Sequence, residues 1–525
     1  MTGSLRADDK PMTEVELKLQ LDKGSLTEVI RQIRARGGRS ERLRARYFDT
    51  ADRQLARAGM ALRLRYERGR WVQTLKAARP GGLTRFEHEV TVQRARPDHP
   101  PAINPALHLA TEIGPLLERV LGQADPPGLV QQFETDMRRL KVQFRSRRGE
   151  VELSLDTGEV AAPGRVPLAV REIEVELVKG SPLAITDVAH QLVRHHACWV
   201  DPATKAERGH RLAADLGPPG AIKAGPVFID PQTGARDALL AVINECRRQL
   251  LGNLARIASD DGHDAEHVHQ ARVALRRLRT AIRLFEREPL QNLDPAARAL
   301  ASALGVTRER DVLLESVVPE LAQAGAPAVS LADPAGATDA RSVVRHRDGQ
   351  GFVLDLLASE LAIARAADPA PSPVASQLVA RLADWHRRIR RDARLFSTLD
   401  DEHRHRLRRR MKRLRYGVEF CRSLCSDKRY RRFLRAMSHA QEALGRYNDL
   451  VEAQASYRAQ VEIDPRAWFA VGWLSGEIKA QSQQCITALA ALRECESPWK
   501  DRYTPRPEPT SVPDAAPANA APTPR

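Results

Sequence analysis

Glu14-Val15-Glu16-Leu17-Lys18-Leu19-Gln20-Leu21 alternates charged or polar side chains with aliphatic ones at a strict spacing of two. Successive side chains of a strand point to opposite faces. Glu14, Glu16 and Lys18 therefore share one face, and Val15, Leu17 and Leu19 share the other. The same arithmetic recurs through the N-terminal half. ALRLRYE puts Arg63 and Arg65 together, TRFEHEV puts Arg85, Glu87 and Glu89 together, and REIEVEL does so for Glu172, Glu174 and Glu176. Lys76 ends WVQTLK, and Glu152 and Asp156 share a parity in VELSLD. Any one such strand reads as the solvated face of an antiparallel sheet. Repeated strand after strand, with carboxylates and guanidiniums in place of Thr, Ser and Gln, the pattern fits a closed barrel better. Charged faces then line a wet interior, and aliphatic faces lie outward under helices.

Carboxylates crowded in such a lumen repel one another unless a divalent cation sits among them. Oxygen donors select Mg²⁺ or Mn²⁺, and no His/Cys cluster competes for zinc. Arg and Lys opposite them suit phosphate oxygens, Arg by paired hydrogen bonds. A hard metal beside a ring of cations is equipment for phosphoryl transfer. No GxxxxGK[ST] loop offers the P-loop route.

Composition agrees with an anionic partner. The chain has 525 residues, 42% of them hydrophobic, with 83 Lys+Arg against 67 Asp+Glu for a net charge of +16. That is enough apolar material for real cores, and a surplus of positive charge for nucleic acid, an anionic surface or polyphosphate. Aromatics are only 5%, too few for base-stacking platforms, and no nucleic-acid motif is present. No apolar run is long enough to span a membrane, and the N-terminus lacks a secretory h-region. The six cysteines show no CxxC pair and read as reduced thiols. The expected location is cytoplasmic, in association with polyphosphate granules if polyphosphate is the ligand, and no membrane partner is expected.

After Gly217-Pro218-Pro219-Gly220 the periodicity changes to long amphipathic helices rich in Ala, Leu and Arg. The expected division is 1–215, a linker at 216–232, a helical domain at 233–495 and a disordered Pro/Ala-rich tail at 496–525. A loop is expected near 324–340. The helical half repeats itself: HQARVALRRLR (His269–Arg279) matches HRLRRRMKRLR (His405–Arg415), and LGVTRERDV echoes LGRYNDL, setting Asp311 opposite Asp449. Two copies of one helical unit follow from that match. His269, Arg272, Arg276 and Arg279 form one helical stripe, and His405, Arg408, Lys412 and Arg415 repeat it at identical spacing. Cations packed this densely repel, so either acids on neighbouring helices or an anionic ligand must offset them.

The N-terminal half resembles the CYTH superfamily, the triphosphate tunnel metalloenzymes. The resemblance rests on EVELK at Glu14–Lys18 and on YFDT, LRLR, TLK, RFEHE, FETDMRR, the Glu172–Glu176 run and TKAERG, in that order. It implies an eight-stranded antiparallel tunnel that hydrolyses or cyclises triphosphates with Mg²⁺ or Mn²⁺. It also implies Glu14, Glu16, Asp156, Glu172 and Glu174 as metal ligands. Lys18, Arg63, Arg65, Lys76, Arg139 and Lys205 would cradle the triphosphate, with Arg208 near the domain's end and Arg85, Glu87 and Glu89 as further lumen residues. Arg138 is the alternative to Arg139, and the depth of Glu176 is open.

The helical half resembles the CHAD domain, through the two basic segments, RERDV and LGRYNDL. That resemblance implies two four-helix units around a basic cavity that binds inorganic polyphosphate. The expected fold is thus an α+β tunnel barrel followed by an all-α duplicated bundle. The expected function is an inorganic triphosphatase, splitting tripolyphosphate into pyrophosphate and phosphate. An adenylate cyclase, a thiamine- or nucleoside-triphosphatase, and a non-catalytic polyphosphate-binding protein are the alternatives.

Overall fold

The computed structural model describes residues 12–78, 84–93, 96–122, 128–305, 316–331, 339–366, 373–500 and Tyr503. Asp311, part of the expected 324–340 loop and the chain beyond Thr504 lie outside the described residues.

Strands β1 (Met12–Leu21), β2 (Arg39–Asp49), β3 (Met60–Glu67), β4 (Arg70–Ala78), β5 (Thr84–Gln93), β6 (Val130–Ser146), β7 (Gly149–Ala161) and β8 (Leu168–Gly180) build the N-terminal half. They follow the order β5-β4-β3-β2-β6-β7-β8-β1, every pair antiparallel, and β1 pairs back onto β5. The result is a closed eight-stranded barrel. A short ninth strand, β9 (Cys198–Val200), pairs with β1 at Leu19–Leu21, beyond the point where β5 leaves it. Closure leaves the long strands no free edge to manage.

Alternation does what the sequence pattern requires. Leu17, Leu19, Leu21, Leu153, Leu155, Ile173 and Val175 point outward and are buried under helices α1 (Leu26–Ala35) and α4 (Leu183–His195). The inward face is charged over most of its length. At one end it turns apolar: Leu43, Ala45, Tyr47, Phe133, Met137, Val160 and Val170 form a collar. Helix α5 (Lys205–Ala213) plugs that collar with Ala206, Leu212 and Ala213. Its entry is set by a capping box in which the Thr204 hydroxyl accepts from Glu207 N–H and Glu207 accepts from Thr204 N–H. The collar was not anticipated from the alternation, which had the whole inner face polar. Two short helices, α2 (Gln54–Arg57) and α3 (Gly114–Gly122), pack outside β3 to β5.

The helical half contains α6 (Ala235–Ala258), α7 (Ala265–Phe285), α8 (Asp294–Ala303), α9 (Val318–Gln323), α10 (Ala340–Arg345), α11 (Arg347–Arg365), α12 (Ala375–Arg394), α13 (Asp401–Phe420), α14 (Asp427–Gln460) and α15 (Ala467–Glu494). The two basic repeats lie on α7 and α13, which pack against each other. Among the described residues no helix is long and apolar enough to cross a membrane. The six cysteines are buried and unpaired.

Two expected boundaries shift. The 216–232 segment is coil, but it is fastened rather than free: Ile229 is buried and its N–H meets Ser423 Oγ. Residues 496–500, expected as the start of the tail, pack onto the helical half. Trp499 is buried and bridges to Cys425, and Ser426 N–H donates to Pro498 O, because an indole at this position completes the apolar floor around Cys425 and Cys495.

Gly209 shows how tightly α5 seats. A Cβ there would lie 2.1 Å from Phe133 Cε2. That ring is stacked on Tyr47 at 4.5 Å on one side and met edge-on by His210 on the other, so it has no room to yield. Gly209→Ala is expected to destabilise the fold by about 1–3 kcal/mol, read as a lower urea midpoint. A surface control such as Gly472→Ala, with nothing within 4 Å, should not lower it.

Candidate functional site

The register of β1 on β8 sets Glu16 opposite Glu176, Lys18 opposite Glu174 and Gln20 opposite Glu172. β7 then places Asp156 beside Glu172, and β6 places Arg139 beside Asp156. All these side chains face the lumen. Lys18 Nζ lies 2.6 Å from Glu16 and 3.0 Å from Glu174. Arg139 donates to both Asp156 oxygens at 2.7 Å and to Glu174 at 2.6 Å. From the plugged end, Lys205 on α5 enters the same knot, 2.8 Å from Asp156 and 2.7 Å from Glu174, and also bonded to Glu172. Arg208, one turn on, bridges Glu172 at 3.6 Å and Asp201 at 2.9 Å.

A second ring continues around the wall. Lys76 joins Glu14 at 2.8 Å and Glu87 at 3.0 Å. Arg63 donates to the Tyr47 hydroxyl at 3.3 Å and lies 3.7 Å from Glu87. Arg65 pairs with Glu67 at 2.8 Å and Glu89 at 3.1 Å. Arg85 comes within 3.9 Å of Glu16. Every tunnel residue singled out from the sequence is therefore in the lumen. Arg139 rather than Arg138 is the inward arginine, since Arg138 falls on the exposed outer face.

Burial alone would strip protons from these cations and return them to the acids. The geometry reverses that. Burial pulls Lys18 down, but Glu16, Glu174 and Glu172 more than offset it and hold the ammonium above the ordinary lysine value. Lys205 and Arg63 are raised for the same reason. Burial pushes Glu174 up, and Lys18, Lys205 and Arg139 hold it well below the usual carboxylate range.

Glu176 behaves differently. Burial, then Glu14, push its carboxyl up to about 7; Lys76 pulls against them, and Glu16 and Glu87 add smaller pushes. Acid repels acid on this side of the lumen, and hard oxygen donors lacking sufficient counter-charge are what a divalent cation relieves. Among the described residues no ready-made cage of three His, Cys, Asp or Glu ligands stands assembled, because lysine and arginine heads lie between the carboxylates. The donor chemistry nonetheless fits. Glu176 is the carboxyl most in need of positive charge, and Glu14 and Glu16 beside it, though already met by Lys76 and Lys18, complete an oxygen-donor group. Asp156, Glu172 and Glu174, expected beside them as ligands, are gathered instead around Lys205, Arg139 and Lys18.

Four participants went unnoticed in the sequence. Gln20 donates to Glu172 at 2.9 Å, and Lys141 lies 3.3 Å from both Glu41 and Glu152. Gln20 and Lys141 each continue the two-residue step from Lys18 and Arg139, so their signal was available. Tyr47 sat inside a quoted motif without a role. Asp201 lies in a turn and had no periodic signal.

In the helical half, α7 and α13 bring the two basic stripes face to face. Lys412 is crowded by Arg408, Arg276 and Arg272, with Asp449 in opposition. Burial first, then these guanidiniums, push its ammonium down to about 7. The Nε atoms of Arg276 and Arg408 are buried and meet no acceptor among the described residues. Gly445 leaves open the space over which the Arg408 guanidinium lies. The stripe ends are more settled. Arg279 pairs with Asp294 at 2.7 Å, Arg415 with Glu419 at 2.9 Å, and His405 Nδ1 meets Asn448 Oδ1 at 2.5 Å. His269 is half-buried on α7 and, like Arg272, already has a partner. The expected stripe is thus real, and among the described residues its least compensated charge lies at Arg276, Arg408 and Lys412.

Comparison with known proteins places both halves. The CYTH domain model matches residues 12–209 and the CHAD domain model matches residues 241–458. The chain consists of a CYTH domain followed by a CHAD domain. An uncharacterized protein of Mycobacterium tuberculosis is 31% identical over 276 residues, covering 47% of this chain and 50% of that protein. The chain thus spans about half the length of the curated relatives it matches. Among solved structures, the CHAD domain of the plant Ricinus communis aligns over 54% of this chain and 99% of its own, at 27% identity and a TM-score of 0.43. A Hippeastrum adenylyl cyclase with a dominant triphosphatase activity aligns over 39% of this chain and 98% of its own, at 18% identity and a TM-score of 0.26.

Lys412 gives a sign that can be measured. In the folded chain it sheds its proton near pH 7, and in the unfolded chain near its ordinary value of 10.5. Between those limits the unfolded state binds more protons, so this residue's contribution to stability rises with pH, and it is flat below 7. Lys412→Met is expected to remove that rise. Urea midpoints at pH 6.5 and 9 should differ less in the variant than in the parent chain.

Proposed function

We propose that this CYTH–CHAD chain is a metal-dependent inorganic triphosphatase that hydrolyses tripolyphosphate to pyrophosphate and phosphate, with a helical domain that binds inorganic polyphosphate. The observation that carries the reading is the closed lumen in which Lys18, Arg63, Arg65, Lys76, Arg139 and Lys205 converge among acids that can exchange them for another partner. A linear triphosphate offers the alternating anionic oxygens that such a ring of donors would grip, the arginines by paired N–H groups. Membership of the CYTH family, whose members are generally metal-dependent, supports a divalent cation. Mg²⁺ or Mn²⁺, when bound, would supply charge neutralisation for the phosphate chain. Glu14, Glu16 and Glu176 are the residues that would hold it.

The chain's own residues would do the rest. Lys18, Arg139 and Lys205 would orient one end of the substrate, and Arg63, Arg65 and Lys76 the other. Charge building on the transferred phosphoryl group would be met by donors already in place, so little reorganisation accompanies reaction. The collar and α5 close one end of the lumen with apolar side chains. In the helical half, the least compensated Arg276, Arg408 and Lys412 would take a longer chain as ligand.

A phosphate-release panel tests this reading. Tripolyphosphate is expected to turn over fastest, with Mg²⁺ or Mn²⁺ required and chelator abolishing release. ATP, thiamine triphosphate and long-chain polyphosphate should be slower. Glu16→Gln and Lys18→Met are expected to lower kcat/KM by about 10²–10³ each. Arg276→Gln with Lys412→Gln should leave tripolyphosphate turnover intact while weakening long-chain polyphosphate binding. Faster turnover of ATP would favour the nucleotide reading, and binding without release the non-catalytic one.

A further inference from the structure

The contact between the two domains reaches the tunnel at one defined place. β9 is the barrel wall's outermost strand, and its inner edge is tied to β1: Leu19 pairs with Val200, and Asp201 N–H donates to Lys18 O at 3.1 Å. The chain then turns through residues 201–204. Asp201 Oδ1 accepts from Ala203 N–H at 2.9 Å, its Oδ2 takes Arg208 at 2.9 Å, Pro202 O takes Arg85 at 3.5 Å, and Thr204 caps α5. This turn is what delivers Lys205 to Asp156 and Glu174.

The outer edge of β9 has no further strand. Val200 N–H, buried, donates instead to Gln350 Oε1 at 2.8 Å, and Gln350 is a residue of the helical domain, near the start of α11. Gln350 is itself 2% exposed, and its Nε2 donates to Val344 O at 2.9 Å, so both ends of the amide are used. Beside it, Arg345 lies over the Trp199 ring at 4.1 Å and donates to Ala258 O at 2.7 Å and to Asp260 at 2.6 Å. It also reaches Asp22, at the end of β1, at 3.3 Å.

We propose that Gln350 of the helical domain is a positioning residue of the tunnel: by capping the outer edge of β9 it fixes the turn that aims Lys205 into the lumen. Without it, a buried N–H loses its acceptor, and β9 must shift to find water or another partner. A shift of this kind is transmitted to the plug helix, because only four residues separate Val200 from Lys205. Placement errors of about 1 Å at a reacting centre can cost up to about 10² in rate. The kinetic consequence rests on the triphosphatase reading; the positioning itself does not.

Two measurements on the full chain separate these. Amide hydrogen exchange of peptides covering 198–213 should quicken in Gln350→Leu, while peptides from β2 to β4 stay as in the parent. With tripolyphosphate and Mg²⁺, Gln350→Leu should lower kcat about tenfold or more. In a Lys205→Met background the same change should cost less than about twofold, because a residue acting through Lys205 has nothing left to position. Gln350→Glu, whose carboxylate still accepts from Val200 N–H and loses only the donation to Val344 O, should keep exchange in 198–213 and the rate closer to the parent than Gln350→Leu does. It also serves if the leucine variant fails to fold. Unchanged exchange in 198–213, or losses that multiply with Lys205→Met, would overturn the proposal. If the parent chain releases no phosphate, the triphosphatase reading falls, and the exchange result alone decides the positioning claim.

Discussion

The structure depends on opposite charges being held within a closed cylinder. Desolvating a carboxylate or an ammonium costs several kcal/mol in practice, and the lumen holds Asp156 and Glu172 almost wholly out of water. They persist because Lys205 and Arg208 of α5, Arg139 of β6 and Lys18 of β1 are fixed on three different elements that barrel closure forces together. Such pairs do not make a fold stable on balance. The outward faces, with Leu19, Leu155, Ile173 and Val175 fully buried, supply the apolar burial that allows the polar interior to exist. The division of labour is the two-residue alternation read from Glu14 onward.

The two anion-suited regions differ in how their charge is balanced. In the tunnel each cation already has an acid, so an incoming phosphate chain exchanges one partner for another, and the acids it releases become available to a divalent ion. In the helical half Arg276, Arg408 and Lys412 face one another, and Lys412 gives up proton affinity through burial first and the neighbouring guanidiniums second. A ligand there would add negative charge beyond that of Asp449. Internally paired cations preserve geometry without a ligand, which suits chemistry; less compensated ones gain most from a ligand, which suits capture.

What was legible in the sequence follows the same physics. Parity along strands is a local property, so Glu14, Lys18, Arg63, Lys76 and Glu174 could be assigned to one interior from their spacing, and the duplicated stripes of α7 and α13 from theirs. The apolar collar was not legible, because Leu43, Ala45 and Tyr47 have the same alternation whether they face a lumen or a core. The separation of Glu14, Glu16 and Glu176 from Asp156, Glu172 and Glu174 was equally hidden. It depends on which cations the register places between them, and register is a relation between strands far apart in the chain. Trp499 illustrates the converse error: a Pro- and Ala-rich ending suggested disorder from residue 496, but one indole buried against Cys425 holds its first residues in place.

The boundary between domains was drawn at a Gly-Pro-Pro-Gly segment, and as a boundary of periodicity it is sound. As a boundary of packing it is not. One continuous apolar cluster runs from Leu17 and Leu19 of the barrel through Ile185 and Val188 of α4 to Leu239, Val242 and Phe352 of the helical half. His190 of α4 meets Asp355 of α11 at 3.1 Å across the same seam. A seam that buries aliphatic side chains on both sides does not behave like a linker between independent bodies; separating the halves would expose α4, which covers β1, and β9, which pairs with β1, the strand that carries Glu14, Glu16 and Lys18. The helical half is therefore part of what keeps the tunnel's most informative strand in register, whatever ligand it binds on its own account.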